Sequence, residues 1–248
     1  MAQGEDSKND AGFKAPPTGR VAMRQAWDKL LFLHWEVPAG ALRRLVPDGL
    51  ELDLYEGKAY VGLVPFTMTG VRPVWAPAVR GLSNFHETNV RTYVRHARGG
   101  PGVWFLSLDA ANAAAVARAL FHLPYYLARM SLIEADDGAV AYRSRRVRGG
   151  ASSDIRARPV GPEHRAALGT LDAFLIDRYV LYASNGRKIY RGVVRHAPYA
   201  IRDAEVFALE ENLLDAAGID RPDAAPHARF AGEVRVDVFP LRDVARLK

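Results

Sequence analysis

Acidic, basic and amide side chains are collected on one face of a short stretch of the chain, residues 84–95. The stretch is rich in β-branched and aromatic residues and precedes a glycine-proline turn at 98–101, a pattern that predicts a strand. Side chains alternate between the two faces of a strand. One face therefore carries an acid and a base four positions apart, in the row Phe85, Glu87, Asn89, Arg91, Tyr93 and Arg95.

Three interpretations of this face are open. If the face meets water, the segment is an ordinary amphipathic strand. If Glu87 and Arg91 are buried against each other, they form a structural ion pair that needs no ligand. If the face lines a cavity, Arg91 can grip a carboxylate through two hydrogen bonds, and Glu87 can act as acid or base when burial raises its pKa.

Length and composition bound the class of protein. The chain has 248 residues, of which 49% are hydrophobic and 25% charged, as in a soluble globular protein. Residues 1–20 are polar and predict a disordered N-terminal tail, and 21–248 predict a single domain. Without an apolar run of about 20 residues, without a signal peptide and without cysteine, the sequence favours a cytoplasmic protein that has no membrane partner.

The net charge of +6 raises the question of nucleic-acid binding. Only six residues are lysine, so arginine supplies most of the positive charge. The arginines are scattered over the chain and accompany no recognisable nucleic-acid-binding motif. An arginine-rich nucleic-acid binder is therefore the weakest of the functional alternatives, and we expect no nucleic-acid partner.

The usual signatures of metal, cofactor and nucleophile sites are missing from the sequence. Its seven histidines form neither an H-x-H nor an H-E-x-x-H motif, so we expect no metal site. Neither a P-loop nor a G-x-G-x-x-G or G-x-S-x-G motif occurs, and we expect no cofactor. The polar face of the strand predicted at 84–95 is thus the main candidate for chemistry.

Hairpins dominate the rest of the predicted secondary structure. Alternating segments and turn residues predict about ten strands, with a helix at 110–121, one at 171–178 capped by Thr170, and a polar loop at 160–168. This is the pattern of a mainly β (α+β) protein, an antiparallel β-barrel or two packed sheets with a few peripheral helices.

The strand at 102–109 is expected to pair with the polar strand across the turn. That pairing sets Asn89 near Asp109, which then shares a face with Glu87 and lies within diagonal reach of Arg91. Alternatively, Asp109 is the N-cap of the following helix.

Six motifs carry a resemblance to a known family: F-L-H-W at 32–35, L-E-L-D at 50–53, V-P-F at 64–66, F-H-E-T-N-V-R-T-Y-V at 85–94, G-V-W-F-L-S-L-D at 102–109 and L-P-Y at 123–125. With these motifs the chain resembles the YqjF-like family of uncharacterised bacterial proteins over nearly all of residues 23–241. The resemblance by itself implies no activity.

The pattern is in turn similar to acetoacetate decarboxylase, which implies a cone-shaped antiparallel β-barrel with its site inside. In that enzyme an aromatic residue stands two positions before a cavity-facing glutamate, as Phe85 does before Glu87. A G-x-P-K-K motif in the decarboxylase supplies the Schiff-base lysine and a second lysine that lowers its pKa. The matching segment here is His122 to Tyr126, in which Tyr125 and Tyr126 replace both lysines.

An imine needs an amine, so this resemblance excludes Schiff-base decarboxylation at that position. The leading hypothesis is a small-molecule-binding barrel acting on a carboxylate- or carbonyl-bearing metabolite, such as an organic acid, by acid–base chemistry. As an enzyme it would be lyase-like. The alternative is a non-catalytic ligand-binding or structural relative, and a homo-oligomer is left open. Candidate catalytic residues are Glu87, Tyr125 and Tyr126; candidate ligand-binding residues are Phe85, Asn89, Arg91, Tyr93 and Asp109.

Overall fold

The described part of the molecule, residues 19–111 and 122–246 of a computed structural model, consists mainly of β-strands. Three short helices occur in it, α1 (Ala39–Arg43), α2 (Leu171–Ile176) and α3 (Leu213–Ala216). The strands are β1 (Met23–Asp28), β2 (Leu30–Val37), β3 (Glu51–Leu52), β4 (Ala59–Pro73), β5 (Phe85–His96), β6 (Gly100–Ala110), β7 (Tyr125–Glu134), β8 (Val140–Arg146), β9 (Ser152–Arg165), β10 (Val180–Ser184), β11 (Lys188–Arg195), β12 (Ala200–Glu211), β13 (His227–Ala231), β14 (Val234–Val238) and β15 (Arg242–Arg246).

These strands form one sheet that closes on itself. The hydrogen-bonded order runs β1, β14, β11, β10, β6, β7, β8, β9, β12, β13, β2 and β4, and β4 pairs with β1 again, so twelve strands complete a ring. β3 and β15 are attached outside this ring, to β5 and β11. The predicted mainly β class with few helices is therefore confirmed.

β5 crosses the ring, because it pairs with β4 along one edge and with β6 along the other. We call β4, β5 and β6 the central wall. One face of the wall packs into a core with Phe32 and Phe66, and the other face packs into a separate core with Leu31 and Leu63. Most of β5 is consequently buried, and alternation places Phe85 and Tyr93 in the first core and Val90 in the second.

Several predicted elements have the expected type. The helix predicted at 171–178 is α2, which ends two residues earlier, and the Thr170 side chain accepts a hydrogen bond from Ala173 N at its start. The tail predicted at 1–20 lies almost entirely outside the described residues. The helix predicted at 110–121 does so too, except that Ala110 is the last residue of β6.

Two features of the sheet differ from expectation. The predicted polar loop at 160–168 is wrong over 160–165, because β9 continues to Arg165 and pairs with β12, as in the pair Ile201 and His164. The sheet is mainly antiparallel, yet β6 has two parallel neighbours, β7 and β10. A parallel connection requires about a dozen residues or more, which residues 111–124 supply between β6 and β7.

The parallel contact of β6 with β10 depends on a glycine. A Cβ atom at Gly102 would lie 2.8 Å from the backbone oxygen of Val180 and 2.9 Å from the Tyr182 ring. We expect Gly102→Ala to lower the free energy of unfolding by about 1–3 kcal/mol, since the backbone must move to relieve the overlap. Chemical denaturation measures this change.

Gly40→Ala is the matched control, because a Cβ atom at Gly40 in α1 meets nothing within 4 Å. That substitution should leave stability unchanged or raise it by about 0.4–1 kcal/mol through the unfolded chain. Equal effects of the two substitutions would contradict the close approach of β6 and β10.

Candidate functional site

The polar row of β5 faces an internal cavity. Phe85, Glu87, Asn89 and Arg91 all line it, and the cavity has a volume of about 170 Å³. Most of its remaining wall is apolar. The wall includes Met23, Trp27, Leu30, Val64, Phe66, Met68, Val71, Val103, Phe105, Leu108, Leu123, Ile176, Val194, Tyr199 and Val238, with Gln25, Tyr125 and Arg178 as further polar residues.

Glu87 is an almost completely buried acid, with 2% of its surface exposed. Burial is the largest influence on its carboxyl group and raises the pKa from 4.5 to about 7. Hydrogen bonds from Tyr125 and Asn89 favour the charged form and oppose this rise, while the nearby charge of Asp109 adds to it. Near neutral pH, Glu87 is therefore able both to donate and to accept a proton.

Tyr125 approaches Glu87 from β7, the strand that lies next to the central wall. It is the first residue of β7, which pairs in parallel with β6 at Leu108. Its hydroxyl donates a hydrogen bond of 2.9 Å to Oε2 of Glu87. Burial, followed by the charge of Glu87 and the hydrogen bond to it, raises the pKa of Tyr125 well above its ordinary value, so the phenol remains a donor.

Arg91 lies at the end of the same row. Its Nη2 donates to the backbone oxygen of Leu175 at 3.0 Å, and its guanidinium lies 5.5 Å from the centre of the Phe32 ring. Within residues 19–111 and 122–246, Arg91 forms no ion pair with Glu87 or any other carboxylate. Arg91 Nε and Asn89 Oδ1 are buried without a hydrogen-bond partner. Two polar atoms at the cavity wall thus have unused hydrogen-bonding capacity.

Tyr93 lies behind Arg91, outside the cavity wall. Its hydroxyl donates to the Leu175 oxygen at 2.8 Å and lies 2.7 Å from Nε2 of His34. Since the hydroxyl proton is used, Nε2 of His34 is the donor in the second bond. Burial is the main reason that the pKa of His34 lies well below its ordinary value, and His34 is therefore neutral.

Gly62 allows His34 and Arg91 to lie on either side of β4. It pairs with both residues across the sheet, and a Cβ atom there would lie 2.9 Å from the His34 ring. His34 was not predicted as part of the site, although a single histidine within the buried run Leu30–Trp35 is a visible signal. Arg178 was missed as well, and it lines the cavity while its Nη1 contacts Asp53 Oδ2 at 2.6 Å.

The prediction that Asp109 shares a face with Glu87 is wrong. A register shift between Val90 and Arg91 pairs Asp109 with Thr88, so its side chain points into the opposite core. There it is completely buried and forms a 2.8 Å ion pair with Arg146. Asp109 therefore neutralises a buried arginine on the far side of the central wall.

Tyr126 also lies away from the cavity. It follows Tyr125 directly in β7 and so points to the other face, where 41% of it is exposed. The guanidinium of Arg146 lies 3.8 Å from the centre of its ring. Of the two tyrosines at the place of the decarboxylase lysines, only Tyr125 reaches Glu87.

The lysines of the described residues lie outside the cavity. Lys29 pairs with Glu134, Lys58 with Glu36 and Lys188 with Asp243. His122, at the place of the glycine in the decarboxylase motif, has a φ of +51°, in the region that glycine favours. The backbone conformation at His122 is compatible with the resemblance. Among the described residues, however, no lysine lines the cavity, so none is placed to form an imine there.

In residues 19–111 and 122–246, no three side chains of His, Cys, Asp or Glu come together as a set that could hold a metal ion. Over the same ranges, no helix has both the length and the apolar character needed to cross a membrane.

Comparison with known proteins supports the resemblance deduced from the motifs. The sequence profile of DUF2071, an uncharacterized conserved protein, matches residues 24–235. The chain belongs to the DUF2071 family. Its relatives include the uncharacterized protein YqjF of Bacillus subtilis (strain 168), which is 38% identical over 229 residues, covering 91% of this chain and 94% of YqjF. The predicted YqjF-like family is thereby confirmed.

Solved structures show which fold this DUF2071 chain shares. The enduracididine biosynthesis enzyme MppR complexed with pyruvate has a TM-score of 0.64 at 10% identity and covers 93% of both chains. An acetoacetate decarboxylase from Legionella pneumophila has a TM-score of 0.63 at 13% identity, covering 94% of this chain and 93% of that one. The predicted acetoacetate-decarboxylase-like fold is confirmed.

The buried carboxyl of Glu87 should make stability depend on pH. Between its unfolded pKa of 4.5 and its folded pKa of about 7, the folded state holds a proton that the unfolded state has released, so stability falls as pH rises. The shift corresponds to roughly 3 kcal/mol. We expect Glu87→Gln, whose amide stays neutral, to lose that much less stability than the wild type between pH 4.5 and pH 8 in urea denaturation.

Glu51→Gln serves as the control, because Glu51 is exposed at the end of the sheet in β3. It should show the same pH dependence as the wild type. A Glu87→Gln protein that also follows the wild-type curve would mean that the folded carboxyl titrates at its ordinary pKa.

Proposed function

We propose that the cavity binds a small organic acid and that Glu87 exchanges a proton with the bound molecule. The single observation that carries this proposal is the Arg91 guanidinium, which reaches the cavity without a carboxylate partner in the described residues. A positive charge held against an apolar wall, with an unused N–H at Nε, attracts an anion.

The position of Glu87 gives the proposal its chemistry. Glu87 and Arg91 lie on the same face of β5, four residues apart, about 13 Å along an ideal strand. An acid whose carboxylate contacts Arg91 therefore extends along the cavity towards Glu87. A carboxyl group with a pKa of about 7 is suited to take a proton from carbon or return one at neutral pH.

Tyr125 and Asn89 support this role through Glu87. Both donate hydrogen bonds to its carboxyl group, which holds the side chain at a fixed place in the cavity wall. The Tyr125 hydroxyl stays protonated and is positioned beside the reacting group. No imine is part of the proposal, because the lysines of the described residues are paired with carboxylates elsewhere.

The structural neighbours are compatible with an acid ligand. MppR is described as complexed with pyruvate, and separately as complexed with a condensation product of pyruvate. At 10–12% identity these neighbours show a shared fold only. The proposal that this chain binds an acid is therefore based on Arg91 and Glu87.

Binding by Arg91 can be tested by calorimetry with a panel of carboxylates from acetate to octanoate and short 2-oxo acids. We expect Arg91→Ala to weaken binding of the best acid about tenfold or more, because the charged hydrogen bonds to its carboxylate are lost. Arg145→Ala should bind as the wild type does, since Arg145 lies exposed on β8. Unchanged binding in Arg91→Ala would contradict the proposed anchor.

Proton exchange by Glu87 can be tested separately. In D₂O the protein should accelerate exchange of the protons next to the carbonyl of a bound oxo acid whose carbonyl lies about five bonds from its carboxylate, such as 6-oxoheptanoate, as followed by proton NMR. Glu87→Gln should lower this rate about 100-fold or more, the usual contribution of a positioned acid or base. Glu51→Gln should retain it. Binding without accelerated exchange would favour the alternative, a ligand-binding protein that performs no chemistry.

A further inference from the structure

The two ends of the cavity differ in chemistry. Its charged and amide groups on β5 lie between Glu87 and Arg91. The other end begins at Phe85, which stands in one row across the sheet with Met68 and Trp27. Beyond that row, Val71 of β4 and Met23 of β1 extend the apolar wall. The cavity therefore has a polar end at Arg91 and an apolar end at Met68.

The distance between these ends is set by the strand. Phe85 and Arg91 are six residues apart on β5, which corresponds to about 20 Å at roughly 3.3 Å per residue. A volume of about 170 Å³ distributed over such a length is narrow. For comparison, a cavity of about 150 Å³ accommodates benzene. That volume holds an unbranched chain of about eight to ten non-hydrogen atoms, which is roughly 10 Å long and reaches from Arg91 towards the level of Glu87 and Phe66.

The apolar end cannot balance a second charge. It holds two neutral donors, the indole N–H of Trp27, whose buried Nε1 has no partner among the described residues, and the amide of half-buried Gln25. Neutral donors are able to satisfy a neutral oxygen. They do not compensate a carboxylate held against Phe66 and Met68, because burying an unpaired charge is very costly. The ligand accordingly carries its charge at one end only.

We propose that the ligand is a monocarboxylate with an unbranched apolar tail, about six to eight carbons in all, whose carboxylate contacts Arg91 and whose tail lies towards Phe66 and Met68. This inference rests on the proposed function, since it takes Arg91 as the anchor. It adds the size, the single charge and the direction of the ligand.

The test compares ligands that differ in one property. Calorimetry with the full-length protein measures acetate, butanoate, hexanoate and octanoate, together with hexanedioate and hexan-1-ol. Affinity should rise about fourfold for each added methylene until the tail fills the cavity. Hexanedioate and hexan-1-ol should each bind at least tenfold more weakly than hexanoate, the first through its second charge and the second through the missing one.

A pair of phenylalanine variants locates the tail. Phe66 lines the cavity and pairs with Glu87, about 13 Å along the strand from Arg91, whereas Phe207 is 52% exposed and lies outside the cavity wall. Phe66→Asn should weaken octanoate binding tenfold or more and leave butanoate binding nearly unchanged, because only the longer tail reaches the new polar group. Phe207→Asn should bind both acids as the wild type does.

The outcomes separate the two proposals. If acids bind through Arg91 with equal affinity at every length, or if hexanedioate matches hexanoate, the inference about the tail is wrong and the proposed function stands. If Phe66→Asn weakens butanoate and octanoate equally, the direction of the tail is wrong. If no acid binds, or if hexan-1-ol binds as tightly as hexanoate, Arg91 is no anchor and both proposals are wrong.

Discussion

The pairing of β5 along both of its edges is the constraint on which the rest of the structure depends. A strand held by β4 and β6 has its two faces buried in two different cores, so every polar side chain on it must find a partner or remain neutral. This condition explains why the alternating polar residues of β5 line a cavity and do not form an ordinary solvent-exposed face. Glu87 is almost completely buried and Arg91 is half-buried.

Two buried acids on opposite faces of the central wall meet this condition differently. Burial raises the pKa of Asp109, but the charge and hydrogen bond of Arg146 and the hydrogen bond of Ser144 oppose this rise and favour its charged form. Glu87 has only the neutral donors Tyr125 and Asn89 to oppose burial, and its pKa rises to about 7. The first arrangement is a structural ion pair. The second leaves a carboxyl group near its titration point beside a cavity, where it is free for chemistry.

The sequence predicted the row of β5 because alternation is a local property that needs only the strand assignment. It did not predict the position of Asp109, since the register shift between Val90 and Arg91 depends on how two strands fit together and leaves no mark in either segment. Tyr125 and Tyr126 could be told apart only once the direction of β7 beside β6 was known. His34 and Arg178 reach the site through contacts distant in sequence, which no local pattern contains.

The backbone oxygen of Leu175 accepts hydrogen bonds from both Arg91 and Tyr93. In the proposed complex, Arg91 turns from that oxygen to the carboxylate, Tyr93 still satisfies the carbonyl, and no buried acceptor is left without a donor. The exchange of partners therefore carries little reorganisation cost within the protein. The last turn of α2 supplies this oxygen. Its hydrogen bond to Arg91 holds the guanidinium extended towards the cavity in the absence of a ligand.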